Sequence, residues 1–250
     1  SGQTVTGRHD DTQTGSFECG QSLGRACLDR IRYGQQTCQL PVNGQVHHAF
    51  ASSLASAAVD LQTRGINTAI RFITGRHLPD ARNALCRAMI EGGCSHLLFA
   101  DCDMSWPGDL PARLIAHGCD AVGAVYQSHR CGDFEISAPR PAEGGLREVN
   151  FVGTGMLMLS RNWCAAMLRA YGGHPFMFVH LPDGRFLGED VVALQRWRTR
   201  GGKVFADASC RVLHYGEQVV GATLAEAEIM SAATGIPVPM LQPGLPIPSP

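Results

Sequence analysis

No stretch of these 250 residues is long and apolar enough to cross a bilayer as a helix, and neither sign of charge dominates. There are 21 Lys and Arg against 22 Asp and Glu, for a formal net charge of −1. The first absence argues against a transmembrane anchor, since a spanning helix needs about 18 or more consecutive apolar residues. The second argues against a chain whose whole surface grips nucleic acid or an anionic membrane, so a nucleic-acid partner is not expected, although a local basic patch stays open. No C-x-x-C occurs among the ten cysteines, and their spacings match no zinc pattern. Several, such as Cys86 and Cys164, lie in apolar stretches and read as buried reduced thiols. That favours a reducing compartment and a cytoplasmic location. Charged residues make up only 17%, yet hydrophobic residues reach 44%, enough for the core of one large α/β domain or two small ones. The chain opens Ser1-Gly2-Gln3-Thr4 without a methionine or an apolar leader, so a removed targeting segment stays open.

Periodicity divides what is present. Residues 1–36, rich in Gly, Thr, Gln and charge, read as an N-terminal extension, with a short helix around Leu23–Arg32. A first strand is expected at Thr37–Pro41, stopped by its proline. Phe50, Leu54, Ala57, Ala58 and Leu61 recur at helical spacing and predict a helix over Val46–Arg64, with Gly65 at its end. A strand over Asn67–Ile73, a helix through Ala81–Glu91 and a strand at His96–Ala100 follow. Shorter elements continue the alternation: a helix at Asp109–His117, a strand at Asp120–Tyr126, strand-like sequence over Asn150–Leu159, helices at Arg161–Tyr171 and Gly188–Arg200, and strands at Lys203–Ala206 and Arg211–His214. Ser128–Glu148 reads as loop or edge hairpin, and Tyr171–Phe186 as a loop rich in Gly, Pro and His. Residues 236–250 carry six prolines and read as an extended tail. The alternation of strand and helix predicts an α/β fold, with a mostly parallel central sheet flanked by helices in one domain over 37–235.

The strand His96–Ala100 runs straight into Asp101-Cys102-Asp103, with Pro107 barring a helix through the pair. Residues i and i+2 of a strand face the same way, so two carboxylates leave one strand end side by side. Such a pair repels itself unless a cation lies between, and a divalent ion with hard oxygen ligands suits it. Strand carboxyl ends are where sheets of this kind bind ligands. Three later segments are candidates to join the pair. Gly153-Thr154-Gly155 could let backbone approach a ligand closely, or mark a β-bulge. Glu189 and Asp190 open a helix, where acids suit the helix dipole and could also serve as base. His214 ends a strand, as a metal ligand or a satisfied polar residue.

In this order, His96-Leu97-Leu98-Phe99-Ala100-Asp101-Cys102-Asp103-Met104, Gly153-Thr154-Gly155, Gly188-Glu189-Asp190, Lys203-Val204-Phe205-Ala206-Asp207 and His214-Tyr215-Gly216 resemble glycosyltransferases of the GT-A fold, family 2-like, with a DxD motif. The resemblance implies a Rossmann-like nucleotide-diphospho-sugar transferase fold, a divalent metal (manganese or magnesium) and a nucleotide-sugar donor, most often a UDP-sugar. It implies that Asp103, with Asp101 and His214, holds the metal, and that Asp101 meets the donor's ribose or sugar. Asp190 matches the base of inverting members, with Glu189 beside it. Pro41, Asp80, Arg82 and Asn83 fall where related chains meet the donor. Gly153, Thr154 and Gly155, with Trp106, would line the acceptor and sugar pocket. The expected reaction moves a sugar to a hydroxyl of a glycan or other acceptor. Two alternatives stand beside it. A nucleotidyltransferase also pairs carboxylates with Mg²⁺, but it would usually carry a lysine in a Gly-rich loop, and Val42-Asn43-Gly44-Gln45 has none. A non-catalytic sugar- or nucleotide-binding module would not need Asp103, Asp190 and His214 around one pocket; their dispersal would sink the enzyme reading.

Overall fold

A computed structural model describes residues 32–35, 46–73, 77–128, 133–137, 139–216, 219–235, 237, 238 and 240, with backbone alone for 32–35, 219, 220 and 234. The expected helix at Leu23–Arg32, except its last residue, the strand at Thr37–Pro41 and nearly all of the C-terminal tail lie outside the described residues. In chain order the elements are β1 (Arg32–Gln35), α1 (His48–Thr63), β2 (Asn67–Ile70), α2 (Leu78–Glu91), β3 (His96–Ala100), β4 (Met104–Ser105), α3 (Leu110–Ala116), β5 (Ala121–Ala124), β6 (Ile136–Ser137), β7 (Arg140–Pro141), β8 (Leu146–Val149), β9 (Phe151–Val152), β10 (Met156–Ser160), α4 (Arg161–Ala170), β11 (Val179–His180), β12 (Phe186–Leu187), α5 (Glu189–Thr199), β13 (Val204–Asp207), β14 (Leu213–Tyr215), β15 (Val219–Val220) and α6 (Leu224–Thr234).

Eight strands form the central sheet in the order β2-β1-β3-β10-β5-β13-β8-β7. Parallel pairing joins β1 to β2 and β3, and β5 to β13; β10 and β8 run against their neighbours. Six of the eight strands therefore share one direction. β1 takes into the sheet Arg32–Gln35, residues that the composition assigns to the extension. From β3 the chain leaves on the side opposite to β1 and β2, so the sheet has the switch point at which ligands bind beyond the strand ends. No helix among the described residues is long and apolar enough to cross a membrane.

Period-2 alternation along β3 splits the core. Leu97 and Phe99 face one layer with Leu85, Met89, Trp163, Met167 and Leu194, from α2, α4 and α5. Leu98 and Ala100 face the other with Phe50, Leu61, Leu110 and Leu114, from α1 and α3. Both faces of the strand are covered, which is why it reads as an unbroken apolar run. Cys102 continues the second face and is only 1% exposed.

The expected helices within the described residues start and stop within a residue or two of the prediction, except that α2 begins at Leu78, three residues before Ala81. Pro79 occupies the first turn of α2, where it forfeits no hydrogen bond, and Gly65 follows α1 at φ +71°. α6 has no counterpart in the sequence reading. Its signal was present: Thr223 accepts from the Glu226 amide, and the Glu226 carboxylate accepts from the Thr223 amide, a capping box. The expected loop over Tyr171–Phe186 contains the short hairpin β11–β12.

Close approach requires glycine at position 123 in β5. A Cβ there would stand 2.8 Å from a Val152 methyl and 2.9 Å from the Met156 carbonyl oxygen, a backbone atom that cannot move aside cheaply. Gly123→Ala should destabilise the protein by about 1–3 kcal/mol, read as a lower urea midpoint with an unchanged slope.

Candidate functional site

Parity carries Asp101 onto the face of β3 already shared by Leu97 and Phe99, towards α2. There it meets Arg82, whose Nη2 lies 3.7 Å from Asp101 Oδ1. The same guanidinium donates through Nη1 to Glu189 Oε1 at the start of α5. Arg82 and Glu189 are 2% and 5% exposed, so the pair is a buried ion pair joining α2, the end of β3 and the start of α5. Arg82, expected where related chains meet the donor, stands enclosed between these two carboxylates.

The turn after β3 is closed from the other side. The Asp101 amide donates to the Gly155 carbonyl at 3.0 Å, the His47 amide to the Cys102 carbonyl at 3.1 Å, and the Tyr215 amide to the Asp103 carbonyl at 2.7 Å. β14 pairs with β4 through His214 and Met104, and this pairing brings the His214 ring to Asp103, Nε2 to Oδ2 at 3.5 Å. His214 Nδ1 faces the Gln127 carbonyl at 2.9 Å. A carbonyl only accepts, so Nδ1 carries a proton, and Nε2 is the ring nitrogen turned towards Asp103.

Gly153 and Gly155 do permit a close approach, but the group that approaches is Tyr126. A Cβ at Gly153 would stand 2.2 Å from the phenol oxygen and one at Gly155 2.7 Å from it. The Gly155 amide donates to that oxygen at 2.9 Å, and the Gly153 amide to the Glu135 carbonyl at 2.8 Å. The turn therefore cradles an internal ring, and Thr154 is buried at 2%.

Tyr126, Glu135, Asp101, Asp103, Asp190 and His214 thus form one cluster at the carboxyl edge of the sheet, assembled from five separate segments. Burial pushes the Asp101 carboxyl up to about 6 despite Arg82, with Asp103 and Asp190 adding to the rise. Burial and the nearby Asp190 likewise raise Glu135, and burial with Asp101 raises the Tyr126 phenol well above its ordinary value. Burial alone would lower His214, but the Asp103 carboxylate, the Gln127 carbonyl and Asp101 outweigh it and raise it. Asp190 is half-buried; its Oδ1 accepts from the Val191 amide at 2.7 Å, and a Cβ at Gly188 would crowd that oxygen at 2.8 Å.

Among the described residues no three His, Cys, Asp or Glu side chains enclose an ion by themselves. The donors present suit a more open arrangement. Asp103 and His214 Nε2 face each other, and Asp101 Oδ1 is buried without a hydrogen bond. Hard divalent cations are often held by one or two protein groups, with substrate phosphates completing the shell, and these residues fit that role.

Other expected site residues are placed differently. Asn83 is 1% exposed, and its amide is spent on the Phe176 backbone, donating to the carbonyl and accepting from the amide at 2.9 Å each. Trp106 is 5% exposed and packs edge-on against Phe50 at 5.3 Å, in the core rather than on a pocket wall. Asp80 is exposed in the first turn of α2, where the helix dipole favours it. Pro41 lies outside the described residues. Tyr126 and Glu135 escaped the sequence reading because a tyrosine after a strand and a glutamate in an aperiodic loop give no local signal.

Two predictions follow from this geometry. The folded chain holds a proton on Asp101 between pH 3.8 and about 6 that the unfolded chain gives up. The associated stability is complete below pH 3.8 and is lost as pH rises through about 6. In urea denaturation with chelator present, Asp101→Asn should therefore be more stable than wild type at pH 7.5, on the order of 2 kcal/mol, and match it near pH 4. Arg82→Met leaves Glu189 buried without its partner and should cost about 3–5 kcal/mol; adding Glu189→Gln should recover a large part of that loss.

No family model matches the chain, and no curated protein matches it. Solved structures do. "A197 from STIV" aligns with a TM-score of 0.50 at 17% identity over 77% of this chain and 93% of that one, a likeness of fold. UDP-glucose pyrophosphorylase complexed with UDP-glucose aligns at TM-score 0.43 and 10% identity, over 77% and 92% of the two chains. The 4-diphosphocytidyl-2C-methyl-D-erythritol synthase from Anaerococcus prevotii DSM 20548 aligns at 0.42 and 13%, over 82% and 96%. The last two overlaps are too loose to carry function. The chain has a mixed α/β, Rossmann-like fold.

Proposed function

We propose that the protein is a metal-dependent glycosyltransferase that moves a sugar from a nucleotide-diphosphate donor, a UDP-sugar by preference, to a hydroxyl of a glycan or other acceptor. The observation that carries this reading is the convergence of Asp101, Asp103, Glu135, Glu189 and Asp190 at one sheet edge, with Arg82 the guanidinium within them and already paired with Glu189. Carboxylates so placed repel one another and favour a bound cation. Asp103 and His214 would hold a Mn²⁺ or Mg²⁺ ion, with Asp101 beside them. Bound there, the metal would stabilise negative charge on the departing diphosphate as a Lewis acid.

The chain's own groups divide the remaining work. Asp190 has one oxygen fixed by the Val191 amide, and its other oxygen would take the proton of the acceptor hydroxyl. A base on α5, separate from Asp101 and Asp103, suits attack from the face opposite the leaving group and hence inversion. Glu189, bound to Arg82, is spent on holding α5 in place rather than on proton transfer. Arg82, buried and 3.7 Å from Asp101, would act on the donor through the charge of Asp101. The polar edge of Asp101 would meet the donor ribose or sugar.

The chain's one lysine, Lys203, precedes β13 and pairs with Glu148 at 3.1 Å. β13 runs in the direction of β3, so Lys203 lies at the opposite end of the sheet from Asp101. That placement weighs against a nucleotidyltransferase that needs a lysine on its triphosphate.

A thermal-shift screen of UDP, GDP, CDP and their sugars with and without Mn²⁺ tests the proposal. One nucleotide series should raise the melting temperature only with metal, and Asp103→Ala should abolish that response and reduce turnover at least 100-fold while remaining folded. Asp190→Asn should keep the thermal response and lose turnover comparably. Pyrophosphate release from a nucleoside triphosphate and a sugar 1-phosphate would overturn the reading in favour of nucleotidyl transfer.

A further inference from the structure

One exposed group of rings has no part in the cluster described above. His77, Phe178, Phe186 and His180 form a continuous ladder: His77 meets Phe178 edge-on at 5.1 Å, Phe178 meets Phe186 at 4.9 Å, and Phe186 meets His180 at 5.1 Å. Phe186 is 52% exposed, and the neighbouring Met177 is 39% exposed. A two-stranded hairpin of two-residue strands is marginal by itself, and rings left half in water contribute little of their burial energy to it.

The ladder stands on a rigid base. Phe176, just before the hairpin, is 1% exposed with its backbone clamped by both polar atoms of Asn83, and Leu187, at its end, is 7% exposed. The ladder is also continuous with the candidate site. β12 passes through Gly188 directly into Glu189 and Asp190, and His77 precedes α2 five residues before Arg82. The buried Arg82–Glu189 pair joins these two elements, so the aromatic rim and the proposed base are held on the same framework.

We infer that this ladder is a docking platform for a pyranose ring of a saccharide acceptor; the inference rests on the transferase reading above. A pyranose presents an apolar C–H face ringed by hydroxyls. Aromatic faces with their negative quadrupole suit the C–H face, and the imidazoles at the two ends of the ladder supply donors and acceptors for the rim hydroxyls. Among the described residues of the hairpin, the charges of Asp183 and Arg185 neutralise each other at 2.8 Å, so the hairpin offers no net charge to a phosphate or an anionic lipid surface. Four rings are also far less than the roughly 800 Å² per partner of a stable protein interface.

Saturation-transfer NMR on the full chain, with cellotetraose, maltotetraose and N-acetylchitotriose as probes, tests this. At least one probe should receive saturation at its ring C–H protons. Phe186→Ala, an exposed position that folding tolerates, should weaken the signal at least fivefold without altering the thermal response to nucleotide and Mn²⁺. No transfer to any probe, or an unchanged signal in Phe186→Ala, would overturn the platform. Saturation transfer to a saccharide that depends on Phe186, in a protein with no response to any nucleotide, would uphold the platform and remove the transferase reading instead.

Discussion

The buried ion pair between Arg82 and Glu189, with Asp101 as its third member, is the constraint on which the site depends. It ties α2, the end of β3 and the first turn of α5 in a region nearly closed to water. A charge moved there from water costs several kcal/mol unless its partner is well placed, so the pair tolerates little displacement of any of the three elements. That rigidity fixes where Asp190 stands, one residue beyond Glu189, and where the Asp101–Asp103 turn points. It also sets the base of the aromatic hairpin that leads into α5.

A second constraint comes from Tyr126. Its ring fills the space that Gly153 and Gly155 leave open and its hydroxyl oxygen accepts from the Gly155 amide, while the Gly155 carbonyl accepts from the Asp101 amide. The antiparallel strand β10 is thereby registered against β3 at the height of the carboxylates. Both glycines serve an internal packing need, and their effect on a ligand is indirect: they set the height at which Asp101 is presented.

The two constraints concentrate negative charge in a half-buried space, where Arg82 is paired with Glu189 and Asp101. Asp101 and Glu135 are pushed towards protonation, and His214 is biased towards the imidazolium by its acidic neighbours. Perturbations of this kind gather where charge is placed for use rather than for stability. The same charges would make the chain without a bound cation less stable near neutral pH than its hydrophobic core alone would allow.

The sequence by itself determined the alternation of strand and helix, the ends of the first five helices to within a few residues and the Asp101–Asp103 pair, because apolar period, prolines and glycines act over a few residues. It also placed His214 and Asp190 as candidates, since each sits at an element end that local rules can locate. Only the tertiary structure decided that Arg82 is buried and paired, that Asn83 clamps Phe176, that Trp106 belongs to the core and that Tyr126 and Glu135 join the cluster. Those outcomes depend on partners far away in the chain, Glu189 lying 107 residues from Arg82 and Phe176 93 residues from Asn83. Burial and charge pairing are properties of the neighbours a residue finally meets, and no local pattern encodes them.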